Sequence, residues 1–181
     1  MTARRTVVLA VAVVLAGACA AQAAYPAAKT HAIVLGRSIG GVSVGESLAK
    51  AQAAWGSGGS CTITAGKGAC EYLAPATSAT IHPSWAAFGV TAGKVTIVFI
   101  YPPFNNATKS YVFSGPSTAF RTSAGIHIGS TAKAVRRAYP HALSIDKYAE
   151  FALKNGRVET LFSLMHGRVY SVAVRLVAKK A

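Results

Sequence analysis

The chain has 181 residues, 52% of them hydrophobic and 13% charged, and its 19 Lys and Arg against 5 Asp and Glu give a formal net charge of +14 at pH 7. Once an export leader is set aside, this length suits one compact domain with a sizeable core and excludes two independent ones. Five acids, Glu46, Glu71, Asp146, Glu150 and Glu159, leave little to orient a catalytic nucleophile and base.

Residues 1–23 have the three parts of a secretory signal peptide: Arg4 and Arg5, an apolar run over residues 7–16, and small residues around Ala18-Cys19-Ala20 and Ala21-Gln22-Ala23. Cleavage is expected after Ala23. The apolar run is shorter than the roughly 20 residues of a bilayer-spanning helix, so no transmembrane segment is expected in the mature chain. Leu15 stands four residues before Cys19, one too far for a lipoprotein signal, so Cys19 is expected to leave with the leader unlipidated. Losing Arg4 and Arg5 leaves 17 basic residues against 5 acidic ones, or +12. An exported chain of that charge meets anionic envelope polymers, lipid headgroups and acidic extracellular proteins before it meets nucleic acid, which is not an expected partner.

The mature chain reads as two units, residues 24–104 and 123–181, joined by a connector at 105–122. Gly41-Val-Ser-Val-Gly45-Glu-Ser47 matches Gly125-Ile-His-Ile-Gly129-Ser-Thr131 without gaps, 84 residues on. Each stretch predicts an apolar segment, a glycine turn and a helix capped by the hydroxyl of Ser47 or Thr131. The helices end at Trp55-Gly56 and Tyr139-Pro140, with Leu48, Ala51 and Trp55, then Val135, Ala138 and Tyr139, facing the core. Cys61 and Cys70 follow the first helix and read as a disulfide in an oxidising compartment; a zinc site is the competing reading and needs two further ligands. Residues 93–101 predict the strand that closes the first unit.

The connector is rich in turn formers: Asn105-Asn106 and Ser114-Gly115-Pro116, just after Pro102-Pro103. In the second unit, residues 148–153 and 158–164 flank Asn155-Gly156 and predict a hairpin with a type I′ turn. Residues 167–177 predict the last strand. Helix then antiparallel strands, twice over, predicts an α+β layer with the helices on one face of a sheet and the other face free.

Few residues suggest chemistry. The glycines of residues 40–47 have phosphate-loop spacing, but Glu46 stands where a lysine would reach the phosphates, so they read as a turn. His31, His82, His127, His141 and His166 show no i, i+4 pair, and no metal or cofactor is expected. Lys133, Arg136 and Arg137 fall at i, i+3 and i+4 on one helix face and are the candidate anion-binding residues.

The run of apolar residue, Gly, any residue, then Ser or Thr, a short helix ending in an aromatic, and strands, found at residues 41–56 and 125–140, resembles the repeat of the β-lactamase inhibitor protein family. It is also similar to small lipoproteins of outer-membrane assembly. The resemblance implies an α+β fold of two tandem repeats, a disulfide after the first helix, and inhibition through a concave sheet face. The expected function is an exported, non-enzymatic binding module for an anionic envelope component or an acidic protein. A secreted inhibitor of an extracellular enzyme is the alternative, and a hydrolase without a recognisable motif a third.

Overall fold

The computed structural model describes residues 25–145 and 150–177; the expected leader with Cys19, Asp146, and the predicted start of the hairpin at Tyr148 lie outside them. In chain order, β1 (Ala32–Val34), β2 (Ser38–Ile39) and β3 (Val42–Ser43) precede α1 (Leu48–Trp55). Then come β4 (Ser60–Thr64), β5 (Lys67–Leu73), β6 (Ile81–His82), β7 (Trp85–Thr91), β8 (Lys94–Tyr101), β9 (Phe104–Asn105) and β10 (Ser110–Tyr111). A 3-10 turn (Pro116–Ala119) and β11 (Arg121–Thr122) lead to α2 (Ala132–Ala138), β12 (Leu143–Ile145), β13 (Glu150–Asn155), β14 (Val158–Met165) and β15 (Arg168–Leu176).

The fold is α+β and mostly strand. Eight strands form one antiparallel sheet in the order β12-β13-β14-β15-β8-β7-β5-β4. Four come from each half of the chain, and the last strand of each half, β8 and β15, meet in the middle. Two small sheets flank it, β11-β1-β2-β3 and β10-β9-β6. The connector therefore holds regular structure: β10 pairs with β9, and β11 pairs in parallel with β1. Strands of two residues leave no alternation to read, and the partner of β11 is distant in sequence.

Alternation gives the large sheet its two faces. On the inner face Tyr72, Ala86, Ile100, Val172, Phe162 and Phe151 are register partners across six strands, all buried. Both helices cover this face. Alanine-rich α1 is a favourable helix sequence, and its terminal Trp55 packs edge-on against Tyr72 at 5.3 Å and Phe88 at 5.7 Å. Tyr139, at the end of α2, stacks on Phe162 at 5.9 Å.

Each helix is fastened to the central strand of its own half in the same way. Gly45 N–H donates to the Val95 carbonyl and Gly129 N–H to the Val169 carbonyl, each at 2.8 Å. Val95 N–H returns to Glu46 and Val169 N–H to Ser130, each at 2.9 Å. The caps differ. Thr131 Oγ1 accepts from Ala134 N–H at 3.1 Å as expected, but Ser47, although in the N-cap position, makes no side-chain cap bond. In that turn the Glu46 carboxylate accepts from Ser43 N–H at 2.9 Å, a role filled by the Ser130 hydroxyl toward His127 N–H in the other.

The hairpin between β13 and β14 also departs from expectation. Asn155 pairs with Val158, so its two-residue loop is Gly156-Arg157, and of these only Gly156 has positive φ (60°). That is the type II′ pattern. Both loop residues are left-handed, as type I′ requires, at Ala65-Gly66, Ala92-Gly93 and His166-Gly167.

Candidate functional site: the uncovered sheet face

Among the described residues, no helix lies over the outer face of the large sheet. Its floor is a row of register partners, Glu71, Ala87, Phe99, Ala173, Leu161, Ala152 and Leu143, running from β5 to β12. Small alanines separate the large side chains, which keeps the floor low. Beside it stand Leu73, Trp85 and Tyr101, again register partners.

Aromatic rings rise from this floor in a continuous group. Trp85 stacks on Tyr101 at 5.5 Å and meets Phe99 edge-on at 4.9 Å. Tyr170, the extra residue of the β-bulge that shifts the pairing of β14 and β15 after Ser163, lies 6.1 Å from Tyr101 and stacks on Tyr111 at 4.8 Å. Phe104 meets Tyr111 edge-on at 5.1 Å. A bulge re-aims a side chain that a regular strand would send to the other face.

Between this group and the small β10-β9-β6 sheet lies a hollow of about 500 Å³, lined by Leu73, His82, Pro83, Trp85, Tyr101, Pro102, Phe104 and Tyr111. Its size falls in the range of ligand pockets. The lining has one imidazole, two phenols and no carboxylate, so it can stack and donate or accept hydrogen bonds but has no acid to orient a base.

Desolvation, then the neighbouring phenols Tyr170 and Tyr101, push the Tyr111 phenol above its ordinary value. Tyr170 is raised by desolvation, with Tyr101 and Glu150 adding to it. A raised pKa in the fold means that the stability these groups contribute is complete below about pH 10 and is lost as pH rises through the folded pKa. In an absorbance titration at alkaline pH these phenols are expected to ionise after free tyrosine, and Tyr111→Phe to remove part of the lagging amplitude. Ionisation of every tyrosine together with free tyrosine would contradict the burial described.

Charge is divided between the faces. Glu71 lies on the outer floor; Glu150 accepts from the Ser163 hydroxyl at 2.9 Å; buried Glu159 pairs with Arg175 Nε at 2.6 Å. Register places all three on the outer face, opposite the side of Phe151, Thr160 and Phe162. The predicted basic residues are on the other side. Lys133, Arg136 and Arg137 are exposed on α2, and the Arg136 guanidinium lies 5.4 Å above the Phe151 ring. They do not join the aromatic group.

Cys61 and Cys70 are bonded, as register partners of β4 and β5, so the zinc reading of this pair is set aside. Among the described residues, no three His, Cys, Asp or Glu side chains come together to hold a metal ion, and no helix is long and apolar enough to cross a membrane. Sequence reasoning missed the aromatic group. Its signal was the two-residue spacing of Phe99 and Tyr101, with Trp85 at a strand start; Tyr111 and Tyr170 gave none, because a short strand and a bulge place them.

No protein-family model matches the chain, and no curated protein matches it. Among solved structures it is similar to a cysteine-rich secretory protein from Staphylococcus aureus subsp. aureus Mu50, with a TM-score of 0.41 and 12% identity. The likeness covers 86% of this chain and 49% of that one, so the chain spans about half the length of that structure.

Proposed function

We propose that this chain is an exported, non-enzymatic binding module whose contact surface is the uncovered sheet face, with an extracellular protein as its partner. The aromatic hollow carries this reading. Tyr and Trp offer large, rigid, amphipathic contact area at low entropic cost, and a partner's apolar anchor filling such a hollow supplies most of an interface's energy. The disulfide supports an oxidising compartment, where such bonds persist. The excess of basic residues, +12 once the expected leader is lost, favours an acidic partner through long-range steering.

The test is affinity capture from culture supernatant with the mature chain immobilised. A single stoichiometric partner retained in moderate salt is expected, with Trp85→Ala or Tyr101→Ala weakening it by about 30-fold, as loss of a central aromatic anchor does. Retention unaffected by both substitutions would remove the outer face as the contact surface.

A second reading, a secreted inhibitor of an extracellular enzyme, draws on the chain's symmetry. Two helix-and-four-strand units, fastened by matching bonds at Gly45 and Gly129 and joined through β8 and β15, support a tandem repeat of the kind the resemblance implies. Capture of an active hydrolase whose turnover falls on binding would favour it over a plain adhesive module.

A further inference from the structure

We infer that the helix-covered side of the sheet is a second docking surface, for a linear anionic polymer, and that it is used while the outer face stays free. Only the last clause rests on the reading of the outer face given above.

The balance of charge points to this side, because on the outer face Lys154 and Arg175 stand beside the acids and offset them. Of the four acids among the described residues, Glu71, Glu150 and Glu159 project from the outer face, and Glu46 spends its carboxylate on Ser43 N–H. On the helix side Lys133 and Arg137 of α2 and Lys50 of α1 are exposed, and the one ion pair among the described residues, Glu159–Arg175, is on the far face. Arg136 is held over Phe151, which fixes one cation of the stripe in place.

The same surface lacks what a folded protein partner needs. Among the described residues the exposed large hydrophobic side chains are Val34, Leu73, Leu143 and Leu176, none of them on a helix. A protein interface has an apolar or aromatic centre; cations at one-turn spacing with no such centre suit a chain of repeated negative charges. The helices and the aromatic hollow lie on opposite faces of one sheet, so a polymer on the first leaves the second open. The protein would thus tether a captured partner to an anionic envelope.

Two probes distinguish the source of the negative charge: polyphosphate and poly-L-glutamate, titrated into the mature chain at about 50 mM NaCl, where screening is weak. Lys133→Glu with Arg137→Glu is expected to weaken binding of at least one probe by about 10-fold or more, because two attractions become repulsions. Lys67→Glu with Lys109→Glu makes the same change in net charge at two exposed hairpin ends, and is expected to cost less than about 3-fold. Equal losses in the two doubles would reduce the effect to net charge and overturn the assignment, as would failure of both probes to bind.

Simultaneous use is read from acrylamide quenching. Trp55 is 1% exposed, so Trp85 is the accessible tryptophan. Its quenching is expected to persist when polymer saturates the protein; a fall to under half would place the polymer on the outer face and overturn the inference. If capture through Trp85 fails while polymer binding depends on Lys133 and Arg137, only the outer-face reading falls.

Discussion

Trp55→Ala is expected to destabilise the protein by about 4 kcal/mol, the upper part of the range for deleting a large buried aromatic. Trp55 is fully enclosed, donates from Nε1 to the Ile39 carbonyl at 3.2 Å, and packs on Tyr72 and Phe88. It thus joins three pieces: α1, the β1–β3 sheet and the inner face of the large sheet. Alanine would leave a cavity and remove a buried hydrogen bond together. Urea unfolding followed by circular dichroism measures the loss, and Trp55→Phe should recover all but about 1–2 kcal/mol, since it keeps the ring packing and gives up the hydrogen bond. A cost below about 1 kcal/mol for alanine would show that the core does not close around this side chain.

Removing the disulfide has the second large effect. The bond spans nine residues, and closing a loop of that size restricts the unfolded chain by about 2.5 kcal/mol. Cys61→Ala with Cys70→Ala should therefore lower the melting temperature by about 8 °C, and reductant should bring the unsubstituted protein to the same value. The loss should be local as well as global, because β4 is an edge strand paired only with β5. Hydrogen exchange is expected to rise at residues 60–64 well before the centre of the sheet. The hairpin also requires Gly68: a Cβ there would stand 1.9 Å from the Thr62 carbonyl oxygen, at φ 153°. The pairing of Thr62 and Ile63 with Ala69 and Gly68, next to the two sulfurs, would have to shift to admit it.

The parts legible in the sequence were those fixed by local periodicity. The Leu48, Ala51, Trp55 and Val135, Ala138, Tyr139 spacings and the stretches ending at Tyr101 and Val177 gave the two helices and the two central strands to within a residue or two. The pair of cysteines left in an expected oxidising compartment gave the disulfide. Of the small β10-β9-β6 sheet, β10 and Asn105 fall in the expected connector and β6 in the expected first unit, and none was legible as a strand, since two residues carry no pattern of their own. The candidate site shared that fate: Tyr111 enters it from a two-residue strand and Tyr170 from a bulge. The basic stripe was legible as a helix face, but which side of the sheet it would occupy was not, because helix periodicity orients a residue relative to its helix alone.

The seam between β8 and β15 has a consequence for how the chain reaches this structure. Every hairpin in the large sheet with a two-residue loop can zip locally, yet the seam pairs residues 72 to 78 positions apart, from Val172–Ile100 to Arg175–Ile97. Long-range pairing of this kind has a high contact order and is the slow event in folding. Until it occurs, β8 and β15 are raw edges able to recruit another chain. Crowding during synthesis, rather than the equilibrium stability of the finished sheet, is therefore the point at which this protein is most exposed to aggregation.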